Sequence, residues 1–166
     1  MTRNSPKSPL TRLRVAVATV ILGILFGLLY LVQTRKVAFF EVTSQSMAPT
    51  LQEGERFLMF TPSQYRVGDI VVFSLPETPE THTVKRIIAE GPATVEVRDG
   101  LIRVNGRPAP PPQGDAPPIP GLNADWTVQP GEVFLAGDNR DDSYDSRDYG
   151  PVPIERLQGI LWLHPF

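Results

Sequence analysis

The chain has 166 residues, of which 41% are hydrophobic and 20% charged, a composition that suits one compact domain with a short appendage and excludes wholesale disorder. It contains no cysteine, so disulfide scaffolds, thiol catalysis and cysteine-ligated zinc are excluded. Residues 1–14 carry basic side chains and no acid, whereas the chain after residue 32 carries 12 basic and 18 acidic residues. A basic N-terminal segment followed by an acidic remainder of the chain argues against nucleic-acid binding.

The first predicted element is a membrane anchor at residues 15–32, an uncharged run of eighteen. As a helix it would be about 27 Å long, close to the ~30 Å hydrocarbon core of a bilayer. A cleavable secretory signal is the main alternative, but such signals usually have an apolar run of roughly 7–15 residues and a small-residue cleavage site directly after it. Because only Arg35 and Lys36 follow the span, positive charge favours a cytoplasmic N-terminus at residues 1–14. We therefore predict an uncleaved single-pass anchor, with residues 37–166 outside the cytoplasm.

The remaining chain is predicted to be mainly β, a packed system of antiparallel sheets. Short runs rich in Val, Ile, Phe and Thr are bounded by Gly, Pro, Asn or Asp, as is typical of strands. The predicted strands are residues 37–43, 56–61, 69–75, 81–89, 94–98, 101–104, 132–136 and 157–164. Asp99-Gly100 between two of them indicates a two-residue hairpin turn.

A proline-rich segment at residues 107–121 contains seven prolines in fifteen residues. Proline cannot donate to a sheet ladder and disfavours helix, so this segment is predicted to be an extended surface loop. It is followed by a short stretch before the strand at residues 132–136, so any secondary domain there is expected to be little more than a loop.

Four segments carry candidate chemistry: residues 43–51 (TSQSMAPTL), 68–73 (GDIVVF), 82–88 (HTVKRII) and 137–150 (GDNRDDSYDSRDYG). A calcium loop starting at Asp138 would need an oxygen donor where Arg140 stands, and His82 and His164 have no evident third metal ligand. No metal and no cofactor is therefore predicted. A Ser-His-Asp triad would have to use His82, which has no evident orienting partner.

A serine–lysine dyad is the chemistry that remains. Serine is a weak nucleophile unless a neighbouring base accepts its proton. A lysine with an ordinary pKa of about 10.4 is protonated at neutral pH, but burial disfavours the ammonium form and lowers the pKa. Lys85 lies in a strand beside apolar Val84, Ile87 and Ile88, which can supply such surroundings. The residues alone do not establish that Lys85 meets Ser46.

In order and spacing, and behind an N-terminal anchor, the four segments closely resemble bacterial and organellar signal peptidase I. The stretches S-x-S-M-x-P-T-L and G-D-N-R-x-x-S-x-D-S-R-x-x-G, with K-R between them, make the resemblance very specific. It covers most of the chain from residue 37 onward, apart from the proline-rich loop. Lysine at position 85 separates the chain from the endoplasmic-reticulum and archaeal type, in which histidine is the base.

The resemblance implies a role for each matched residue. Ser46 would be the nucleophile, Lys85 its general base, and Ser44 the hydroxyl that joins the Ser46 backbone N–H in the oxyanion hole. Ser143 would hydrogen-bond and orient the lysine. Asp145 and Arg147 would form the supporting ion pair. Residues 137–140 would be scaffold around the site.

Two departures from the family pattern concern the backbone. Gln45 stands where glycine is frequent between the two serines, which constrains the backbone and leaves both hydroxyls in place. After Arg86 the family often has a Pro-Gly-Asp turn, whereas this chain continues from Ala89 into Gly91-Pro92, so the local turn is expected to differ.

The predicted activity is therefore cleavage of signal peptides from exported preproteins after small-x-small motifs, at the outer face of the plasma (inner) membrane. The expected partners are these preproteins, the lipid bilayer and the export machinery. Two alternatives stay open: a dedicated processing peptidase for a pilin or conjugation substrate, and an inactive anchored scaffold. Phe39 and Phe40 could line the cleft, touch lipid or pack in the core.

Overall fold

The computed structural model describes residues 9–33, 37–75, 78–98, 101–109 and 123–163. The chain divides into two compact units, Met1–Val37 and Ala38–Phe166. The elements in chain order are α1 (Pro9–Gln33), β1 (Val37–Glu41), β2 (Arg56–Phe60), β3 (Ile70–Phe73), β4 (Thr83–Glu90), β5 (Ala93–Arg98), β6 (Leu101–Val104), β7 (Arg107–Pro108), β8 (Ala124–Val128), β9 (Glu132–Ala136), α2 (Ser146–Tyr149), β10 (Val152–Pro153) and β11 (Leu157–Leu163).

Helix α1 is the one helix among the described residues that is long and apolar enough to cross a membrane. Its side chains from Leu10 to Leu31 are exposed wherever their burial is described. The helix begins six residues before the predicted span and includes Arg12 and Arg14 in its first turns. The prediction of one N-terminal apolar helix followed by a mainly β domain is confirmed. Residues 1–8, Arg35 and Lys36, on which the predicted orientation partly rests, lie outside the described residues.

The second unit is built on a seven-stranded sheet in the order β1-β2-β11-β3-β4-β9-β10, and all pairings among β2 to β11 are antiparallel. Central strands β3, β4 and β9 have buried side chains on both faces. In β9, for example, Val133 and Leu135 pack into one hydrophobic cluster, and Phe134 and Ala136 pack into another on the opposite face. Such burial on both faces explains why these strands are near-continuous apolar runs.

A second sheet of four strands, in the order β7-β6-β5-β8, packs through Val95, Val97 and Val128 against Phe134 of the first sheet. The expectation that this region is little more than a loop is therefore wrong. Its sequence signal was the alternation in β8, where Trp126 and Val128 point toward the core while Asp125 and Thr127 are exposed. This alternation covers only five residues, directly after a proline-rich segment, and is too short to identify the strand from the sequence.

The structure bears in different ways on the predicted hairpin turn and on the predicted proline-rich loop in this region. Strands β5 and β6 pair with Arg98 opposite Leu101, as the hairpin prediction requires, while the turn residues Asp99 and Gly100 lie outside the described residues. Most of the predicted proline-rich loop, residues 110–121, also lies outside them. Its first two residues form strand β7, an edge strand where proline is tolerated.

Strand β4 runs to Glu90 rather than ending in the family's usual turn. Gly91 and Pro92 then turn the chain directly into β5, and Gly91 N–H donates to the Glu132 carbonyl at 3.0 Å. A Cβ atom on Gly91 would overlap the backbone of Gln129, so only glycine allows this close approach. The Gly91-Pro92 turn thus joins the end of β4 to the start of β9, the two points between which strands β5 to β8 are inserted.

Candidate active site

The loop between β1 and β2 carries Ser44 and Ser46 and is held at its base and in its middle. At the base, Val42 N–H donates to the Glu55 carbonyl and Gly54 N–H to the Val42 carbonyl, both at 2.8 Å. In the middle, Met47 and Leu51 are almost completely buried in the cluster that also contains Phe57. Because Met47 follows Ser46 directly, burial of its side chain fixes the position of the serine.

Strand β4 brings Lys85 to Ser46. Lys85 lies opposite Val71 in the sheet, and its side chain is only 3% exposed. Its Nζ atom donates to Ser46 Oγ at 2.6 Å, and Ser46 is 9% exposed. Ser44 Oγ lies 3.2 Å from Ser46 Oγ, within hydrogen-bonding distance. The serine and the lysine that the sequence could not bring together are therefore in direct contact.

Burial changes the acid–base properties of Lys85. Desolvation is the largest cause and lowers the pKa of the amine to about 8. The carboxylates of Asp145 and Asp142 raise the pKa, and the guanidinium of Arg147 lowers it. At a pKa of about 8 a substantial minority of the lysine is neutral near pH 7, whereas an unperturbed lysine would be almost entirely charged.

Asp145 and Arg147 form a buried ion pair, with Arg147 Nε 2.8 Å from Asp145 Oδ1. Asp145 also caps helix α2 and accepts from the Gly137 N–H at 2.9 Å. Burial alone would raise the pKa of Asp145, but the hydrogen bond and charge of Arg147, with the bonds from Gly137 and Ser143, keep that pKa below its ordinary value. The carboxylate is thus ionised and fully bonded.

Ser143 is positioned differently from what the resemblance implies. Its hydroxyl donates to Asp145 Oδ2 at 2.8 Å, and no hydrogen bond joins it to Lys85 among the described residues. The hydroxyl has one hydrogen, and it donates this hydrogen to the ionised carboxylate, a strong acceptor. Its lone pairs are left to accept from another donor.

A second buried ion pair was not predicted from the sequence. Arg86 binds Asp138 through two bonds, Nε to Oδ1 at 2.8 Å and Nη2 to Oδ2 at 2.6 Å. Thr50 Oγ1 also donates to Asp138 Oδ2, at 2.5 Å. Asp138 therefore joins the Ser46 loop to strand β4. The available signal was the arginine that directly follows Lys85 and the threonine of the S-x-S-M-x-P-T-L stretch.

A cleft of about 540 Å³ opens beside Ser46. His82 and Phe40 line it in edge-to-face contact with ring centroids 5.0 Å apart, and Phe40 stacks on buried Phe57 at 5.8 Å. Phe39, by contrast, is 79% exposed. The described residues lining the cleft are Phe40, Glu41, Val42, Thr43, Ser44, Ser46, Met47, Leu51, Phe57, Glu80, Thr81, His82, Thr83, Val84 and Lys85. His164 lies outside the described residues.

No group of three or more potential metal ligands occurs in the part of the chain that the structure describes. The arrangement itself places a hydroxyl in contact with a desolvated amine, beside a second hydroxyl and an open cleft.

Comparison with known proteins identifies the family. Residues 13–163 match the family model described as signal peptidase, peptidase S26. Over 137 residues the chain is 35% identical to a probable signal peptidase I-1 of Synechocystis sp., covering 71% of this chain and 65% of that protein. It is 37% identical over 134 residues to the chloroplastic thylakoidal processing peptidase 1 of Arabidopsis thaliana, covering 71% of this chain and 38% of that protein.

A crystal structure of a signal peptidase I from Enterococcus faecalis superimposes with a TM-score of 0.50 at 26% identity, covering 61% of this chain and 100% of that one. The chain spans about two thirds or less of the length of the two sequence relatives. With the family model matching most of its length, this chain belongs to the S26 family of signal peptidases, in its type I branch.

Proposed function

We propose that the chain is a membrane-anchored serine endopeptidase that removes signal peptides from exported preproteins, with Ser46 as nucleophile and Lys85 as general base. The observation that carries the proposal is the 2.6 Å contact between Lys85 Nζ and Ser46 Oγ in buried surroundings. Similarity to proteins named signal peptidase I supports the substrate class.

Acylation begins when the neutral amine of Lys85 accepts the Ser46 proton as Oγ attacks the scissile carbonyl. The tetrahedral oxyanion is stabilised by the Ser46 N–H and the Ser44 hydroxyl, which lies 3.2 Å from Ser46 Oγ. Donors of this kind contribute about 3 kcal/mol each when aimed at the developing charge. The protonated lysine then gives its proton to the leaving amine, which is the N-terminus of the mature protein.

Deacylation repeats these steps with water. The lysine, neutral again, accepts a proton from a water molecule that attacks the acyl carbonyl. The bond from the acyl carbon to Ser46 Oγ then breaks, Oγ takes the proton back from the lysine, and the signal peptide leaves with a new carboxylate. Asp145 and Arg147 form a buried ion pair next to the amine. Because their charges compensate each other, neither is left unpaired beside Lys85. The relevant form of Lys85 is the neutral one, which its lowered pKa makes accessible.

The anchor gives this activity its location. Ser46 lies only fourteen residues beyond Val32, a tether of at most about 50 Å when fully extended. A preprotein whose own apolar segment lies in the bilayer presents its cleavage site near the same surface. We propose that residues 1–14 lie in the cytoplasm and that residues 37–166 act on the outer side of the plasma membrane, on sites preceded by small residues at the first and third positions.

The test uses the full-length chain reconstituted in liposomes and a preprotein with a small-x-small cleavage site. Ser46→Ala and Lys85→Ala are each expected to reduce cleavage about a thousandfold or more, because each removes one half of the dyad. Ser74→Ala removes another buried serine, which accepts from Gln158 far from the cleft, and should retain cleavage. Retained cleavage in either dyad variant would contradict the proposed dyad.

A panel of unrelated preproteins distinguishes a general peptidase from a dedicated one, because a dedicated enzyme cuts only its own substrate. An inactive scaffold would cut none of them. It would also leave Ser46 unlabelled by a serine-directed acylating reagent.

A further inference from the structure

Asn139 makes two hydrogen bonds to the loop that carries Ser46. Its backbone N–H donates to the Ser46 carbonyl and its side-chain Nδ2 donates to the Gln45 carbonyl, both at 3.1 Å. Asn139 is half-buried and is not among the described residues that line the cleft. The proposed acyl transfer gives it no role.

The Gln45 carbonyl and the Ser46 N–H belong to the same peptide group. That group is planar and trans, so its C=O and N–H point in opposite directions. Because the Asn139 side chain holds the carbonyl, the N–H is directed away from that side chain, and the serine that carries this N–H lines the cleft together with Ser44. Within the described residues, the Ser46 N–H donates to no protein acceptor.

A second bond to the Gln45 carbonyl comes from the Ala48 N–H at 3.0 Å. This bond closes a turn inside the loop and moves with it, so it cannot fix the direction of the peptide relative to Lys85. The bonds from Asn139 differ because they come from the segment after β9, which is paired with the strand that carries Lys85. These bonds connect the Ser46 loop to the part of the sheet that carries Lys85.

We infer that Asn139 is a positioning residue for the oxyanion hole: by holding the Gln45 carbonyl, it directs the Ser46 N–H toward the negative charge that develops in acyl transfer. The inference rests on the proposed function in one respect, the use of Ser46 as the acylated residue. It adds a residue whose side chain touches neither the substrate nor the reacting atoms.

Two substitutions test the side chain and leave the backbone bond from Asn139 to Ser46 in place. Asn139→Ala removes the donor. Asn139→Asp keeps the shape but sets a carboxylate against the Gln45 carbonyl, so it should be at least as damaging. We expect kcat to fall about tenfold or more, because a donor that is misdirected loses most of its transition-state contribution, with KM unchanged within about twofold.

The matched control is Glu53→Ala. Glu53 accepts from the exposed side chain of the same residue, Gln45, at 3.2 Å, and that contact does not hold the peptide group. Its removal should leave kcat and KM unchanged. The pH at which activity is half-maximal should also be the same in parent, Asn139→Ala and Glu53→Ala, because none of these changes adds or removes a charge facing Lys85.

A purely structural role for Asn139 predicts a different pattern: a lowered thermal unfolding midpoint, with KM and the pH profile changing together. A peptide aldehyde, which forms an oxyanion on Ser46, should bind Asn139→Ala about tenfold more weakly than parent, while an uncleavable peptide amide should bind equally. Equal kcat in parent and both variants, or equal aldehyde affinity, would overturn the inference.

The rate of Ser46 acylation by a small activated ester separates this inference from the proposed substrate. If the parent cuts no preprotein yet is acylated at Ser46, the proposed function fails, and the slower acylation of Asn139→Ala still supports the positioning role. If the parent is not acylated at all, both the oxyanion hole and the role of Asn139 are refuted.

Discussion

At the scale of single residues, the site depends on how the charge on Lys85 is balanced. The amine is 3% exposed, and its neighbours of opposite and like charge act against one another. Asp145 faces it already neutralised by Arg147, whereas Asp142 is exposed and has no ion-pair partner among the described residues. The burial of the lysine therefore sets the main shift in its pKa. Asp145 raises this pKa more than Asp142 does, but Asp145 is bound to Arg147, so Asp142 is the carboxylate that can be replaced without breaking that ion pair.

In the proposed mechanism the neutral amine of Lys85 is the reactive form, so activity should rise with pH through a midpoint near 8, the pKa of that amine. Asp142→Asn removes a carboxylate that raises this pKa, so the midpoint should move to lower pH and activity at pH 7 should increase. The measurement is kcat/KM against pH for the full-length chain in detergent micelles.

The neighbouring residue supplies the control for this prediction. Asp141 is also exposed but is not among the charges that act on Lys85, so Asp141→Asn should leave the midpoint in place. A midpoint that moves equally in both variants would indicate a general effect of net charge, and one that moves upward in Asp142→Asn would contradict the assignment of Lys85 as the titrating base.

At the scale of elements, strand β4 carries two functional residues in succession. Lys85 bonds Ser46, and Arg86, the next residue, bonds Asp138 and the Gly68 carbonyl. Successive strand residues point to opposite faces, so one strand supplies both the amine of the dyad and the ion pair that holds the adjacent loop. A register shift between Ile87 and Ala89 follows immediately, and beyond it the successive residues Ile88 and Ala89 both pack into the same core cluster.

The end of β9 is as constrained as β4, and Gly137 is the critical position. A Cβ atom there would lie 2.5 Å from the Ser46 carbonyl oxygen and would overlap the Ser143 side chain. We expect Gly137→Ala to reduce kcat/KM at least a hundredfold, because the Ser46 loop must move by a large fraction of an ångström, and displacements of about 1 Å cost that much.

Gly27→Ala is the comparison for this prediction, since nothing lies within 4 Å of the added Cβ. It should retain full activity in the same assay. Thermal unfolding in detergent then distinguishes a displaced loop, which keeps a cooperative transition, from a failure to fold. Unchanged activity in Gly137→Ala would show that the loop can yield without loss of the catalytic geometry.

The elements themselves could largely be predicted from the sequence, because their patterns are local. All eight predicted strands are found, and none of their ends differs from the prediction by more than two residues. Strand β8 was missed because Trp126 is the one large apolar residue in its short alternation, and α2 because four residues contain a single helical turn. The capping box formed by Asp145 and Asp148 was the only sequence signal for α2.

The geometry of the site was less predictable, because its contacts join distant parts of the chain. Lys85 and Ser46 are 39 positions apart, and Thr50 and Asp138 are 88 apart. No periodicity encodes such pairs, so the motif match supplied the residues and not their bonds. Ser143 is an example: the motif identifies the residue, but it does not show that its hydroxyl donates a hydrogen bond to Asp145.

At the scale of the whole molecule, the smaller sheet is the part least connected to the dyad. Its strands leave the main sheet after β4 and return at β9, two strands that are themselves paired. We expect insertion of a short flexible peptide between Asn105 and Gly106, an exposed turn with positive φ at both positions, to change kcat/KM by less than about twofold.

The same peptide inserted between Asn139 and Arg140 should abolish cleavage, because this segment bonds the Ser46 loop. Preprotein cleavage by the two insertion variants is the measurement. Loss of activity from the insertion at residue 105 would indicate that the smaller sheet contributes to the site after all.

The hydrogen bond from Gly91 to Glu132 makes the smaller sheet a separable module of the domain. Since the two attachment points of the smaller sheet are joined by a 3.0 Å hydrogen bond, evolution can lengthen, shorten or replace what lies between them without altering the distance from Lys85 to the residues after β9. An engineer can use the same junction to graft a reporter or an affinity module onto a working enzyme.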